Sequence, residues 1–291
     1  RLNFKSVDVK TAKFSPNGSL LLVGVSSRIH LYQITSPLRP LDLVRVYSGH
    51  YAPITSLSWT PCSRFFASGS EDSTVRIYSS APILHFRPIT LSSHKSPIVN
   101  LTFHEKNLET LYTVSRDGSF FVWNWVQAPT LSTSSLVSST KKRFHLQLHT
   151  KGQFVLSEKH YLQLDHSTIS TCAFSSNLLA VGFDSGVFSL YVDVLCLKHT
   201  HTHTRHIHTR NRYTLSTSEC QRIHHLSVSS NSITSIALNQ NGSWLALGSA
   251  TLGQLLVWEW ESETYVIKQQ GHISDVTALT YNSDSSTLVT G

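Results

Sequence analysis

Two histidines in this chain are each followed, at nearly the same intervals, by a hydroxyl residue, an aspartate and an aromatic. His50 precedes Ser68, Asp72 and Tyr78; His94 precedes Thr113, Asp117 and Trp123, every interval longer by one residue. An imidazole donates from one nitrogen and accepts at the other, so each set can carry a relay from carboxylate through histidine and hydroxyl towards the aromatic. The same residue types compose the Ser–His–Asp set of a hydrolase. Duplication decides between the two chemistries. An active site is seldom repeated at a period of about 45 residues, whereas a buried network tying neighbouring strands belongs to the repeat itself. The eight residues are therefore expected to be structural, with no catalytic, cofactor or metal site.

The elements that must position these residues recur along the chain. An apolar-x-x-apolar-x-apolar pattern appears at Val9/Ala12/Phe14, Ile54/Leu57/Trp59, Ile98/Leu101/Phe103, Ile169/Cys172/Phe174, Ile233/Ile236/Leu238 and Val276/Leu279/Tyr281. The starts are 45, 44, 71, 64 and 43 residues apart, and three of these intervals match a blade period of roughly 40–45 residues. Turns such as Ser15-Pro16-Asn17-Gly18 and Asn239-Gln240-Asn241-Gly242 follow the pattern, their Asn and Gly residues tolerating positive φ. Then come an apolar run ending near glycine and a run ending in an aromatic, as at Ile77-Tyr78 and Val257-Trp258. Short runs punctuated this way read as antiparallel strands. The fold is expected to be all-β, a WD40-type β-propeller of four-stranded antiparallel blades. It is expected to be incomplete, with about five blades plus the start of a sixth.

Composition agrees with such a fold. Of 291 residues, 40% are apolar and 14% charged. No apolar run approaches the roughly 18–20 residues of a membrane helix, and no secretory signal stands at the amino end. Four scattered cysteines lack paired zinc-ligand spacing, which favours reduced thiols and an intracellular setting. The start at Arg1, the absence of methionine and the stop at Gly291 within a repeat lead to the expectation of a fragment.

Two segments exceed the period, at about 127–157 and about 193–220. The first carries Lys141-Lys142-Arg143 in a Ser/Thr-rich stretch and reads as a solvated rim loop. The second contains alternating His and Thr from His199 to Thr204. Clustered imidazoles bind metals, but composition fixes no ligand geometry. A CA dinucleotide repeat translates as alternating His and Thr, so this tract is read as translated intron or a gene-model error. The tract region supplies +2 of the formal net charge of +7, leaving a weak basis for nucleic-acid binding by overall charge.

The two histidine sets resemble the structural tetrad of the WD40 family, with Tyr78 in the place of its tryptophan. The stretches Leu252–Trp260 (LGQLLVWEW) and Tyr265–His272 (YVIKQQGH) are not repeat consensus. They closely resemble a nucleolar WD40 family of ribosome biogenesis, and Ile54–Trp59, Leu111–Trp123 and Leu179–Tyr191 are similar to its successive blades. The resemblance spans nearly the whole chain outside the two long segments. It implies that residues 1–270 are part of a first propeller and that 271–291 begin a blade of a second. It also implies a non-catalytic scaffold of the UTP-B subcomplex of the small-subunit processome, located in the nucleus and nucleolus. The implied partners are other UTP-B subunits and processome proteins, pre-ribosomal RNA and small nucleolar RNA, with no membrane and no small-molecule substrate. The alternative is a WD40 adaptor of another complex, such as a ubiquitin-ligase substrate receptor or a trafficking coat.

Overall fold

A computed structural model describes residues 9–35, 41–83, 86–104, 109–127, 152–162, 164–165, 167–175, 178–192, 220–250, 253–270 and 272–291. The chain divides into two compact units, Arg1–Tyr161 and Leu162–Gly291.

The first unit contains three four-stranded antiparallel sheets, each made of strands consecutive in sequence. They are β1 (Val9–Phe14), β2 (Leu20–Val25), β3 (Arg28–Gln33) and β4 (Asp42–Tyr47); β5 (Ile54–Trp59), β6 (Phe65–Ser70), β7 (Val75–Ser79) and β8 (Ile89–Leu91); and β9 (Ile98–Phe103), β10 (Thr110–Ser115), β11 (Ser119–Gln127) and β12 (Gly152–Tyr161). The second unit contains β13 (Ile169–Ser175), β14 (Leu178–Phe183), β15 (Val187–Val192) and β16 (Gln221–Ser227), then β17 (Ile233–Leu238), β18 (Trp244–Ser249), β19 (Gln254–Glu259) and β20 (Thr264–Gln270). A hairpin of β21 (Leu279–Tyr281) and β22 (Leu288–Thr290) completes it. Within the units the leading strands pack on one another, β1 on β5 and β5 on β9, then β13 on β17 and β17 on β21.

The apolar-x-x-apolar-x-apolar pattern has a physical cause. Side chains alternate faces along a regular strand, so residues three apart would point oppositely. In β1, β5, β13 and β17 the register shifts at the second residue, between Val9 and Thr11, Ile54 and Ser56, Ile169 and Thr171, and Ile233 and Ser235. The extra residue of such a bulge returns the fourth position to the inner face. Ile54, Leu57 and Trp59 are accordingly all buried, as are Ile98, Leu101 and Phe103. Burying each such side chain contributes about 1.5–3 kcal/mol relative to leaving it exposed. β1 differs, with Val9 39% and Phe14 64% exposed.

Three bulged residues carry hydroxyls that reach the next sheet. Thr55 donates to the Ile98 carbonyl at 2.6 Å, Ser170 to Ile233 at 2.6 Å and Thr234 to Val276 at 2.5 Å. One feature thus sets the strand's register and fastens it to its neighbour.

The segment 127–157, read from the sequence as one rim insertion, is corrected by the pairing. Gln127 ends β11, and residues 152–157 belong to β12, where Gly152 pairs with Gln127 and Leu156 with Trp123. The Phe154 ring packs edge-on against Trp125 at 5.3 Å, so the stretch is a sheet's fourth strand. Lys141-Lys142-Arg143 and the His-Thr tract, with residues 193–219 as a whole, lie outside the described residues.

Candidate functional site

In the second sheet the loop between β4 and β5 brings His50 over the β6–β7 turn. His50 Nδ1 lies 2.9 Å from Asp72 Oδ2, and its Nε2 lies 2.7 Å from Ser68 Oγ. A carboxylate only accepts, so Nδ1 carries the proton and Nε2 accepts from Ser68. Thr74 donates to Asp72 from its hydroxyl and its amide, and the Tyr51 amide adds another bond. Burial raises the Asp72 pKa, but these bonds and the one from His50 outweigh it and bring the value to about 2. Burial lowers the His50 pKa, opposed by the Asp72 contact. Tyr78 lies at the far end, stacked on Phe66 at 5.3 Å. Burial raises its phenol pKa, with Arg76 and a hydrogen bond involving Ser68 among the opposing influences.

The third sheet uses a longer chain of bonds. Trp123 Nε1 donates to Thr113 Oγ1 at 3.0 Å, and Thr113 lies 2.7 Å from His94 Nε2. Indole is donor-only, so Thr113 accepts from it and donates on to His94, leaving the proton on Nδ1. That nitrogen faces Ser115 Oγ at 2.9 Å, and Ser115 donates to Asp117 at 2.5 Å. His94 therefore reaches Asp117 through Ser115, whereas the sequence reading had the aspartate accept from the histidine directly. The ordered donors require a neutral imidazole, and burial pushes its pKa down to about 4 despite Asp117 nearby. The reading also missed Ser115, although it sits two residues before the aspartate as Ser70 does before Asp72.

These distances would also suit a Ser–His–Asp relay, but Ser68 and Thr113 are both wholly buried. A nucleophile needs room for a reacting atom about 3 Å away. What the arrangement does is hold a loop, a turn and two strands in one geometry, with each polar group satisfied.

Other sheets solve the same problem differently. In the fourth, Ser189 Oγ lies 2.8 Å from His225 Nδ1 on the outer strand, and Asp165 bridges His225 Nε2 at 3.4 Å and Arg222 at 2.8 Å. Asp184 instead takes the Thr168 amide and hydroxyl. Where the tetrad is missing, glycine lets the next loop close directly over the turn. Gly186 (φ 75°) accepts from the Val228 amide at 3.0 Å, and Gly253 (φ 55°) from the His272 amide at 3.3 Å. His272 Nε2 lies 2.7 Å from Thr290 Oγ1 at the 18-residue spacing of His50 and Ser68, a signal from which Thr290 was readable. Among the described residues no group of three or more His, Cys, Asp or Glu is placed to hold a metal.

Four-stranded antiparallel sheets joined by bulged leading strands, with buried His–hydroxyl–Asp networks, define a WD40-type β-propeller. The family model described as WD domain, G-beta repeat matches residues 41–79 and 218–259. Within that class it is similar to periodic tryptophan protein 2 along nearly its whole length. The Schizosaccharomyces pombe homolog is 36% identical over 99% of this chain and 31% of its own. The Saccharomyces cerevisiae protein is 31% identical over 99% of this chain and 29% of its own. The chain thus spans under a third of these relatives' length. A chain from a crystal structure of the mitotic checkpoint complex shares the fold at a TM-score of 0.67 with 16% identity, covering 99% of this chain and 73% of that one.

Proposed function

We propose that the chain is part of a non-catalytic WD40 scaffold of the small-subunit processome, working in the nucleolus on pre-rRNA processing and 18S rRNA and 40S subunit biogenesis. The carrying observation is the similarity to periodic tryptophan protein 2 over nearly the entire chain, which also holds at 27% identity for the Arabidopsis thaliana protein. The geometry suits such work. Buried networks and inter-sheet hydroxyl bonds make a stiff frame, leaving the surface loops free to vary and hold partners. The partners would be other UTP-B subunits and processome proteins, pre-rRNA and small nucleolar RNA; residues 271–291 would open a second propeller.

Affinity purification of the tagged full-length protein from growing cells tests this reading. Recovery of UTP-B subunits together with pre-rRNA is expected. A stoichiometric cullin ligase or coat complex, without pre-rRNA, would instead place the protein among adaptors of other assemblies.

A further inference from the structure

One end of the third sheet gathers exposed cations around an exposed aromatic ring. Lys95 follows His94 in the loop before β9, and Arg116 lies in the β10–β11 turn, its amide bonded to the Pro97 carbonyl of that loop at 2.9 Å. Lys159 and Tyr161 come from the end of β12, where Tyr161 pairs with Ser119, the first residue of β11. Phe121 ties the group together: His94 stacks on it at 4.2 Å, the Lys159 ammonium lies 5.7 Å from its centroid, and the Tyr161 ring meets it edge-on at 6.3 Å. Lys95, Arg116 and Lys159 are exposed, and none forms an ion pair among the described residues. The neighbouring carboxylates are engaged elsewhere, Asp117 with Ser115 and the Ser119 amide, and Glu158 with His160. Tyr161 is 70% exposed, so most of its ring is open to solvent.

We propose that Lys95, Arg116, Lys159 and Tyr161 form a contact site for single-stranded RNA, the cations taking phosphates and Tyr161 stacking on a base. Free cations beside an open aromatic ring are what sequence-tolerant single-strand binding needs. An acidic peptide would use the cations and leave the ring idle. The site deepens the scaffold reading and rests on it, because a protein handling nascent pre-rRNA meets unpaired strands of many sequences. It also replaces overall charge, too weak on this chain, with a local patch.

The test is binding of a fluorescent, unstructured oligouridylate of about 12 nucleotides to the full-length protein, titrated over a range of salt. Tyr161→Ala is expected to weaken binding about tenfold, while Tyr161→Phe, which keeps the ring, stays near wild type. The triple variant Lys95→Gln, Arg116→Gln, Lys159→Gln is expected to lower the slope of log affinity against log salt by about 2. All four positions are exposed, and unchanged thermal unfolding would show that the variants fold. Unchanged affinity and slope in the variants overturn the site, as does preferential binding of polyglutamate by wild-type protein. If the triple variant binds RNA normally and still recovers UTP-B subunits and pre-rRNA from cells, this site is wrong and the scaffold reading stands. Wild-type protein that recovers neither overturns the scaffold reading itself.

Discussion

His50 and Asp72 touch directly, imidazole nitrogen to carboxylate oxygen at 2.9 Å, whereas the corresponding His94 and Asp117 are joined through the Ser115 hydroxyl. The two networks should therefore respond differently to substitution. Asp72→Ala strands His50, Thr74 and the Tyr51 amide together, and a loss of about 2–3 kcal/mol is expected. Ser115→Ala should lower stability by about 1–2 kcal/mol. It should also abolish the coupling between His94 and Asp117, measured by a double-mutant cycle in denaturant. A coupling that survives Ser115→Ala would rule out the relay.

Acid should act in two stages. Burial holds both network histidines below the ordinary value, His94 at about 4. Between roughly pH 6.5, where an unfolded histidine titrates, and pH 4 the unfolded chain binds the extra proton, so stability falls as pH falls. His94 accounts for up to about 3 kcal/mol of that loss. Asp72 is depressed to about 2, so its contribution is complete above about pH 4 and disappears as pH falls towards 2. Unfolding free energies measured from pH 7 to 3 should show the first decline, and His94→Gln should flatten it.

Ser63 holds a φ of 57° while its Oγ accepts the Asn17 amide of the preceding sheet's turn at 3.2 Å. Ser285, at φ 62°, accepts the Gln240 amide at 3.1 Å in the same way. Ser63→Ala keeps the strained backbone and loses the acceptor, so a loss of about 1 kcal/mol is expected. Ser63→Gly should be close to neutral, because glycine relieves the strain as the bond is lost. Thermal unfolding of the pair separates the two contributions.

At Gly186, a β-carbon would stand 2.2 Å from the Ser229 carbonyl oxygen and 2.6 Å from that of Asn231. Both are backbone atoms, so neither can swing aside. Gly186→Ala should lose more than about 2 kcal/mol, from overpacking and a left-handed φ together. Hydrogen exchange at the Val228 amide, which bonds to Gly186, should accelerate well beyond that of amides in β18.

The repeat, its leading and aromatic-ended strands and the spacing of both histidine sets were legible because they rest on local residue types at fixed spacing, whereas the fourth strands were not placed. Val122-Trp123 and Gly152–Tyr161 show the limit. β12 lies beyond a stretch of Ser, Thr and Leu, and its exposed, alternating pattern resembles a loop until its pairing with β11 is known. The fourth sheet's polar set was likewise hidden, since Asp165, Ser189, Arg222 and His225 share no spacing with the other sheets.

The sequence by itself determined the repeat, the strand order and which residue types must be buried, because periodicity and turn chemistry are short-range properties of the chain. Only the tertiary structure decided how His94 reaches Asp117, which glycines admit the next loop, and which residues meet at Phe121. Those outcomes depend on how groups from separate strands and loops approach one another. A hydroxyl interposes, or a carbonyl fits against a glycine, by distances of an ångström or so that residue spacing does not encode.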